Sequence, residues 1–111
     1  MVEIKYLYIK SDYGFEDTPV EAYIEVDTEN YAVRYLELLK DGEIRYATEN
    51  LESGTFLPYE KFPRIDDIIG EKEIKEVREI TKEEFEMVWR KINWKLKKLK
   101  GTLLHYWKKK K

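Results

Sequence analysis

The sequence predicts an α+β fold, in which a sheet of four or five antiparallel strands is covered on one face by a C-terminal amphipathic helix. Three observations lead to this prediction. Short segments of the first half of the chain alternate apolar and polar residues, as half-buried strands do. An Asp-Gly pair at 41–42 separates two of these segments, which is a strong hairpin signal. Beyond Phe85 the apolar residues recur at helical spacing instead.

Four segments carry the strand pattern in chain order. They are residues 2–9, 20–26, 31–40 and 43–49. Turn formers separate the first two, and the short sequence DTEN separates the second from the third. Between 50 and 72 the sequence indicates a loop with one helical turn at RIDDII, and 72–80 adds either a short fifth strand or an extended connection.

The turns predict which strand residues share a face. A two-residue loop at 41–42 pairs Leu39 with Ile44, and a four-residue DTEN loop pairs Ile24 with Val33. One face, the predicted core, then carries Val2, Ile4, Tyr6, Tyr8, Val20, Ala22, Ile24, Val26, Tyr31, Val33, Tyr35, Leu39, Ile44 and Tyr46. The opposite, charged face carries Leu7, Ile9, Glu21, Tyr23, Glu25, Arg34, Leu36, Leu38 and Arg45. A slip of one residue would exchange the two faces.

The C-terminal helix has a clear start. Thr81 and Glu84 form the capping-box pattern, in which the hydroxyl accepts from an early amide and the glutamate reaches back, so the helix begins at residue 82. Its apolar stripe is expected to cover the core face, and a helix continuing to residue 100 would overhang the sheet. The stripe consists of Phe85, Val88, Trp89, Ile92, Leu96 and Leu99.

Charge divides the chain into two parts. All 23 acidic residues lie in 1–89 with 11 of the 21 basic ones, whereas 90–111 holds the remaining 10 basic residues and no acid. We therefore predict a single α+β domain over 1–92 and a basic aromatic helical extension over 93–111. Because dense like charges repel one another, the extension is expected to dock on something negative.

Four sources of negative charge remain open. The first is the acidic surface of the domain itself, in the same chain or in a second copy, and the next is a protein partner with an acidic or apolar groove. Nucleic acid is third, because lysines interleaved with Trp and Tyr suit backbone contact and base stacking. An anionic membrane surface is fourth.

Composition and motifs favour no enzyme class. With no cysteine and a single histidine, His105, the chain predicts no metal site, and it contains no phosphate-binding loop or dinucleotide motif, so no cofactor is expected. Charged residues near the N-terminus and the lack of a long apolar segment favour a cytoplasmic protein without a transmembrane segment. Glu37 is the one charge on the predicted core face, so it needs a partner such as the Tyr46 hydroxyl, or else marks a polar site at the core edge.

Several motifs resemble a small family of bacterial proteins known as a domain of unknown function. The matching residues are 17–20, 23–27, 31–34, Glu37, 41–42, Ala47, 55–57, 80–85 and Trp89. The resemblance spans residues 1–92 and implies a bacterial or phage protein, but it implies no activity. The extension lies outside it.

The resulting hypothesis is a small non-enzymatic binding protein, of the inhibitor or immunity-protein kind, that docks on a protein partner or on itself. Abundant Tyr and Trp supply anchors, and the charge polarity steers association. The predicted partner-binding residues are Tyr23, Glu25, Arg34, Leu36 and Arg45 on the charged sheet face, and Trp94, Lys98, Tyr106 and Trp107 in the extension. The alternative is binding of nucleic acid or an anionic surface through residues 90–111.

Overall fold

The computed structural model describes residues 4–15, 18–58 and 60–92, and this part of the chain forms a six-stranded sheet with two helices. The strands are β1 (Lys5–Ser11), β2 (Pro19–Val26), β3 (Ala32–Leu39), β4 (Ile44–Thr48), β5 (Leu51–Ser53) and β6 (Ile74–Ile80). Helix α1 is Ile65–Ile69, and we call the helical residues 82–92 helix α2. The α+β class and the antiparallel sheet are confirmed.

All neighbouring strands are antiparallel, and their order across the sheet is β5-β4-β3-β2-β1-β6. The sheet therefore has more strands than predicted. The segment 72–80 is a strand, β6, which pairs with β1 at one edge, while β5 adds a short strand at the other edge. The predicted helical turn is α1.

The β3–β4 hairpin differs from the prediction by one residue. Leu39 donates its backbone N–H to the Glu43 carbonyl and the Gly42 N–H donates back to Leu39, each at 3.0 Å. The loop therefore holds three residues, 40–42, and Gly42 adopts the left-handed conformation (φ 89°) expected at the end of such a loop. The register becomes Leu36 with Tyr46 and Leu38 with Ile44. The predicted pairing of Leu39 with Ile44 is wrong.

The β2–β3 register also differs, but without exchanging the faces. Ile24 pairs with Tyr35 instead of Val33. The connection is one residue longer than four, since Val26 pairs with Ala32, and an irregularity between Glu25 and Val26 shifts the register by one more. Two shifts of one residue restore the predicted alternation of these two strands.

Residues opposite one another share a face, so the registers define two faces of the sheet. The helix face carries Tyr6, Tyr8, Glu21, Tyr23, Glu25, Arg34, Leu36, Leu38, Ile44, Tyr46, Arg78 and Ile80. The loop face carries Leu7, Ile9, Ala22, Ile24, Val26, Tyr35, Glu37, Arg45, Ala47 and Val77. The prediction therefore placed β1 and β4 on the wrong faces relative to β2 and β3.

Helix α2 lies on the helix face, which the sequence analysis had assigned as the charged one. Phe85 is 1% exposed and packs with Tyr6, its ring centroid 5.2 Å from the tyrosine ring. Farther along the helix, Ile92 packs with Leu36 and Tyr46. The apolar stripe of the helix thus crosses the sheet from β1 to β4.

The loop face is covered by irregular segments and by α1. A second apolar cluster there joins Ile9, Ala22, Ile24 and Val26 with Phe62 from the segment before α1. Because both faces are covered, four consecutive β1 residues, Tyr6 to Ile9, are all buried. Their sequence YLYI is apolar on both faces, which is typical of a central strand buried on both sides.

The start of α2 agrees with the capping prediction in part. The Thr81 hydroxyl accepts the Glu84 backbone N–H at 3.1 Å. The Glu84 carboxylate lies 3.5 Å from Arg78 on β6. In the part of the chain that the structure describes, neither helix has the length and apolar character needed to cross a membrane.

Candidate functional site

Three charged side chains meet between the sheet and helix α2. Arg34 of β3 donates from Nε to Glu25 Oε1 at 2.7 Å and from Nη2 to Glu25 Oε2 at 3.0 Å, a bidentate pair across β2 and β3. The same guanidinium donates to Glu86 of the helix. One arginine therefore connects two strands and the helix that covers them.

Aromatic rings enclose this arginine. The Arg34 guanidinium carbon lies 4.7 Å from the Phe85 ring centroid and 5.1 Å from that of Trp89, and these two rings stack with centroids 5.8 Å apart. A guanidinium over an aromatic face gains cation–π attraction and exposes little apolar surface. The side chains of Arg34 and Glu25 are only 19% and 9% exposed, so their pairing is needed to offset desolvation.

Contacts within the network shift the pKa values of three of its members. Hydrogen bonding to Glu25 raises the pKa of Arg34 above its already high ordinary value. Hydrogen bonding from Arg34 lowers the pKa of Glu86. Burial, followed by hydrogen bonding to Glu25, raises the pKa of Tyr6, so this phenol stays neutral. These shifts favour the charged forms of Arg34 and Glu86 and the neutral form of Tyr6.

Four of the predicted partner-binding residues lie beneath or beside helix α2. Glu25 and Arg34 are engaged beneath the helix, and Leu36 has no exposed surface. Tyr23 is half-buried, with its ring 5.0 Å from that of Tyr8, and Trp89 packs against the same cluster. The chain's own helix thus packs on the face that was expected to meet a partner, and a role of these four residues in partner binding stays a prediction.

The remaining predicted residues lie elsewhere. Arg45 is on the loop face, where its side chain passes so close to Gly54 that a Cβ there would sit 2.8 Å from Arg45 Cγ. Trp94, Lys98, Tyr106 and Trp107 lie outside the described residues. His105 does too.

A second polar cluster lies on the loop face around Glu37. This carboxylate is 9% exposed and accepts the Thr55 hydroxyl at 3.0 Å. Burial, followed by the charge of Glu37 and hydrogen bonding to it, raises the pKa of the Tyr35 phenol. The expected hydroxyl partner, Tyr46, is instead on the helix face. The carboxylate is satisfied by hydroxyl donors, but from residues that sequence reasoning did not name.

Two segments lie near this cluster. Thr55 brings the segment after β5 to Glu37, and Tyr13 of the β1–β2 loop lies close enough to Tyr35 to affect its pKa. Each loop exposes a phenylalanine: Phe15 is 71% exposed and Phe56 is 62% exposed. Both were missed by the sequence analysis, although an isolated aromatic residue among turn formers, as in YGFED, is a usable signal of an exposed anchor.

The described residues contain no group of three or more His, Cys, Asp or Glu arranged to hold a metal ion. They contain no buried side-chain nitrogen or oxygen without a hydrogen-bond partner. Phe15, Met87 and Phe56 are the most exposed large apolar side chains of the described residues, at 62% or more.

A family model described as "Domain of unknown function (DUF6881)" matches residues 5–93. This match confirms the resemblance to an uncharacterised family over almost the whole predicted domain. Comparisons with curated proteins and with solved structures give no match.

Proposed function

This chain belongs to the DUF6881 family, a domain of unknown function, and we propose that it is a small non-enzymatic binding protein whose loop face docks on a basic protein surface. The proposal keeps the class of function expected from the sequence. It moves the docking surface from the helix face, which α2 occupies, to the opposite side of the sheet.

Exposed aromatic side chains are the observation that supports this proposal. Phe15 and Phe56 are more than half exposed. Tyr13, which lies in the β1–β2 loop with Phe15, is 40% exposed. Tyr31, immediately before β3, and Val33, near the start of β3, add side chains that are 37% and 39% exposed. Exposing large apolar side chains is unfavourable in water unless a partner covers them, and aromatic residues are enriched in protein interfaces.

The geometry beneath these aromatic residues favours recognition over chemistry. Glu37 accepts the Thr55 hydroxyl at 3.0 Å, which holds the segment after β5 against the sheet. A loop anchored on a rigid sheet keeps its side chains ordered, which lowers the entropy lost when a partner binds.

Charge indicates what kind of protein would bind. Residues 1–89 hold 23 acidic and 11 basic residues. Next to the exposed rings, Glu71 and Glu73 are close enough to Tyr13 to contribute, after burial, to raising its pKa. An acidic rim around apolar anchors suits a basic partner, and opposite charge accelerates the encounter. The basic segment 90–111 of a second copy is one such surface.

The test compares two matched pairs of substitutions in the full chain. Phe15→Ser with Phe56→Ser removes the exposed rings from the loop face. Met87→Ser with Ile4→Ser removes two apolar side chains of similar exposure, 66% and 51%, from other positions. The wild type and both double variants are compared at about 0.15 M salt by quantitative affinity capture and by sedimentation equilibrium.

We expect a basic protein, or a second copy of the chain, to bind the wild type and the control pair but to lose at least about tenfold in affinity for the Phe15/Phe56 pair. A protein recovered by affinity capture is then purified, and its Kd for the chain is measured directly. If no interaction distinguishes the two pairs, the loop face is not the docking surface. Retention on nucleic acid with a steep salt dependence, indifferent to Phe15 and Phe56, would instead support the alternative of binding through 90–111.

A further inference from the structure

A cavity opens on the loop face, away from the exposed phenylalanines. Its volume is about 320 Å³. It lies between the start of β1, the end of β2, the end of β6 and the segment that leads into α1. Its apolar residues include Leu7, which is 5% exposed, Val26, which is 2% exposed, and Phe62. The cavity is therefore floored by the sheet itself and does not depend on a mobile surface side chain.

Charged residues of both signs surround this apolar floor. Lys5 and Arg64 supply two cations, and Asp66 and Glu79 supply two anions. The ion pairs among the described residues involve Arg34, Arg45 and Arg78, and none of these four. They lie on three parts of the fold, β1, β6 and the start of α1, yet they line one opening. Their formal charges cancel.

We propose that this cavity binds a small zwitterion with an apolar body, of the chemical class of a free amino acid with a large apolar side chain. The side chain of the ligand occupies the space over Leu7, Val26 and Phe62. Its carboxylate faces Lys5 and Arg64, and its ammonium group faces the opposite pair of carboxylates.

Size and charge select this class over others. A volume of this size corresponds to about ten water molecules, and it lies at the lower end of the range for small-molecule sites. A dianion would be repelled by Asp66 and Glu79, and a dication by Lys5 and Arg64. A neutral hydrocarbon would fill the floor but would gain no attraction from the four exposed charges at the rim.

The proposal is independent of the docking function, because it uses none of the exposed residues Tyr13, Phe15 or Phe56. It adds a ligand that could be present while a protein partner is bound on the other part of the same face.

In the experiment, the full chain is titrated with ligand, and binding is monitored through the amide chemical shifts. L-leucine and L-phenylalanine are the test ligands, at up to about 10 mM, because a ligand of this size is expected to bind with a Kd on the order of 0.1–1 mM. Three probes remove one feature each: 3-phenylpropionate lacks the ammonium group, phenethylamine lacks the carboxylate, and glycine lacks the apolar side chain.

We expect at least one of the two amino acids to shift the amides of Leu7, Val26, Asn30 and Phe62 saturably, and the three probes to bind at least fivefold more weakly. Arg64→Gln and, as a second variant, Lys5→Gln should each weaken binding at least fivefold. Arg78→Gln, a control at a 50% exposed arginine on the helix face, should not. Unchanged melting curves show that each variant is folded.

Two results overturn the proposal. One is the absence of saturable shifts at these amides with either amino acid. The other is equal affinity for the amino acids and for the probes that lack one charge. The cavity would then recognise only the apolar part of a ligand, and the charged rim would have no role.

Discussion

The two faces of one sheet are closed in different ways. On the helix face, a regular helix places Phe85 and Trp89 over the strands and fixes its position through the Arg34 ion pairs. On the loop face, irregular segments and the short helix α1 cover the strands, and Phe15 and Phe56 stay exposed. A helix satisfies its own backbone hydrogen bonds, so it can bury its side chains fully, whereas loops stay near the surface and carry recognition. Both faces bury apolar residues, Phe85 on one and Ile24 on the other, but they are closed by different kinds of structure.

Removing Phe85 should produce the largest effect. The Phe85→Ala substitution leaves a cavity at a 1% exposed position and is expected to lower the free energy of unfolding by about 3–5 kcal/mol. On the loop face, Phe56→Ala should change it by less than about 0.5 kcal/mol. Urea unfolding of both variants at neutral pH measures the difference. Equal losses would mean that Phe56 contributes to the stability of the fold as much as Phe85 does.

The Arg34 network should have the next largest effect. Arg34→Met leaves Glu25 largely buried without its cation, so we expect a loss of about 2–3 kcal/mol, allowing for the partial exposure of the site. The control is Arg78→Met. Arg78 pairs with Glu76 and Glu84 at positions about half exposed, and its loss should cost less than about 1 kcal/mol.

This network also predicts a dependence on acid. The pKa of Glu86 is lowered from its ordinary 4.5, so the stability it contributes is present above that pH and is lost as the pH falls through the folded-state pKa. The wild type should therefore lose more stability between pH 6 and pH 3 than Arg34→Met does. Parallel pH profiles of the two proteins would show that the ion pair does not couple to folding.

On the loop face, Thr55→Val tests the polar cluster. It removes the hydroxyl that Glu37 accepts and should lower the free energy of unfolding by about 1.5 kcal/mol. Because the Thr55 hydroxyl and Glu37 are direct partners, adding Glu37→Gln should cost less in the Thr55→Val background than in the wild type. Strict additivity in this double-mutant cycle would contradict the contact.

Tyr35→Phe should have the smallest effect at neutral pH and an informative pH dependence. Losing the hydroxyl that bonds to Glu37 should cost about 1 kcal/mol at pH 8. The folded-state pKa of Tyr35 is raised above 10.0, so its contribution to stability is complete below pH 10 and falls as the pH rises, by up to about 1.4 kcal/mol per pH unit, because the unfolded chain releases the proton first. Tyr35→Phe has no phenol at this position, so its stability does not show this decrease.

The stability difference between wild type and Tyr35→Phe should therefore shrink, and then change sign, between about pH 9 and pH 11. Urea unfolding at several pH values measures it. A difference that stays constant over this range would mean that the phenol titrates alike in the folded and unfolded chain.

Much of the fold could be predicted because its signals are local. Alternation located β1 to β4, the capping pattern located the start of α2 at residue 82, and RIDDII indicated α1. Of the candidate site, the placement of Glu25 and Arg34 on one face and the need of Glu37 for a hydroxyl partner were predictable. The donors Tyr35 and Thr55 could not be named, since Thr55 reaches Glu37 only after the chain has turned back across the sheet.

The register of the β3–β4 hairpin shows a signal that the sequence did contain. A three-residue loop pairs Leu36 with Tyr46 and Leu38 with Ile44, which matches apolar residues with one another. The two-residue loop would have set Glu37 opposite Tyr46. Cross-strand apolar pairing favours the longer loop, and weighing it against the Asp-Gly preference would have placed β4 correctly.

By itself, the sequence determined the kind and order of β1 to β4, α1 and α2, because alternation, caps and turn residues act between near neighbours in the chain. Only the tertiary structure decided which face each strand residue occupies and which edge receives β6. The physical reason is that side chains alternate with a period of two, so one extra residue in the loop at Gly42 exchanges the faces of a whole strand. The pairing of β1 with β6 depends on contacts between segments about 70 residues apart, for which no local pattern exists.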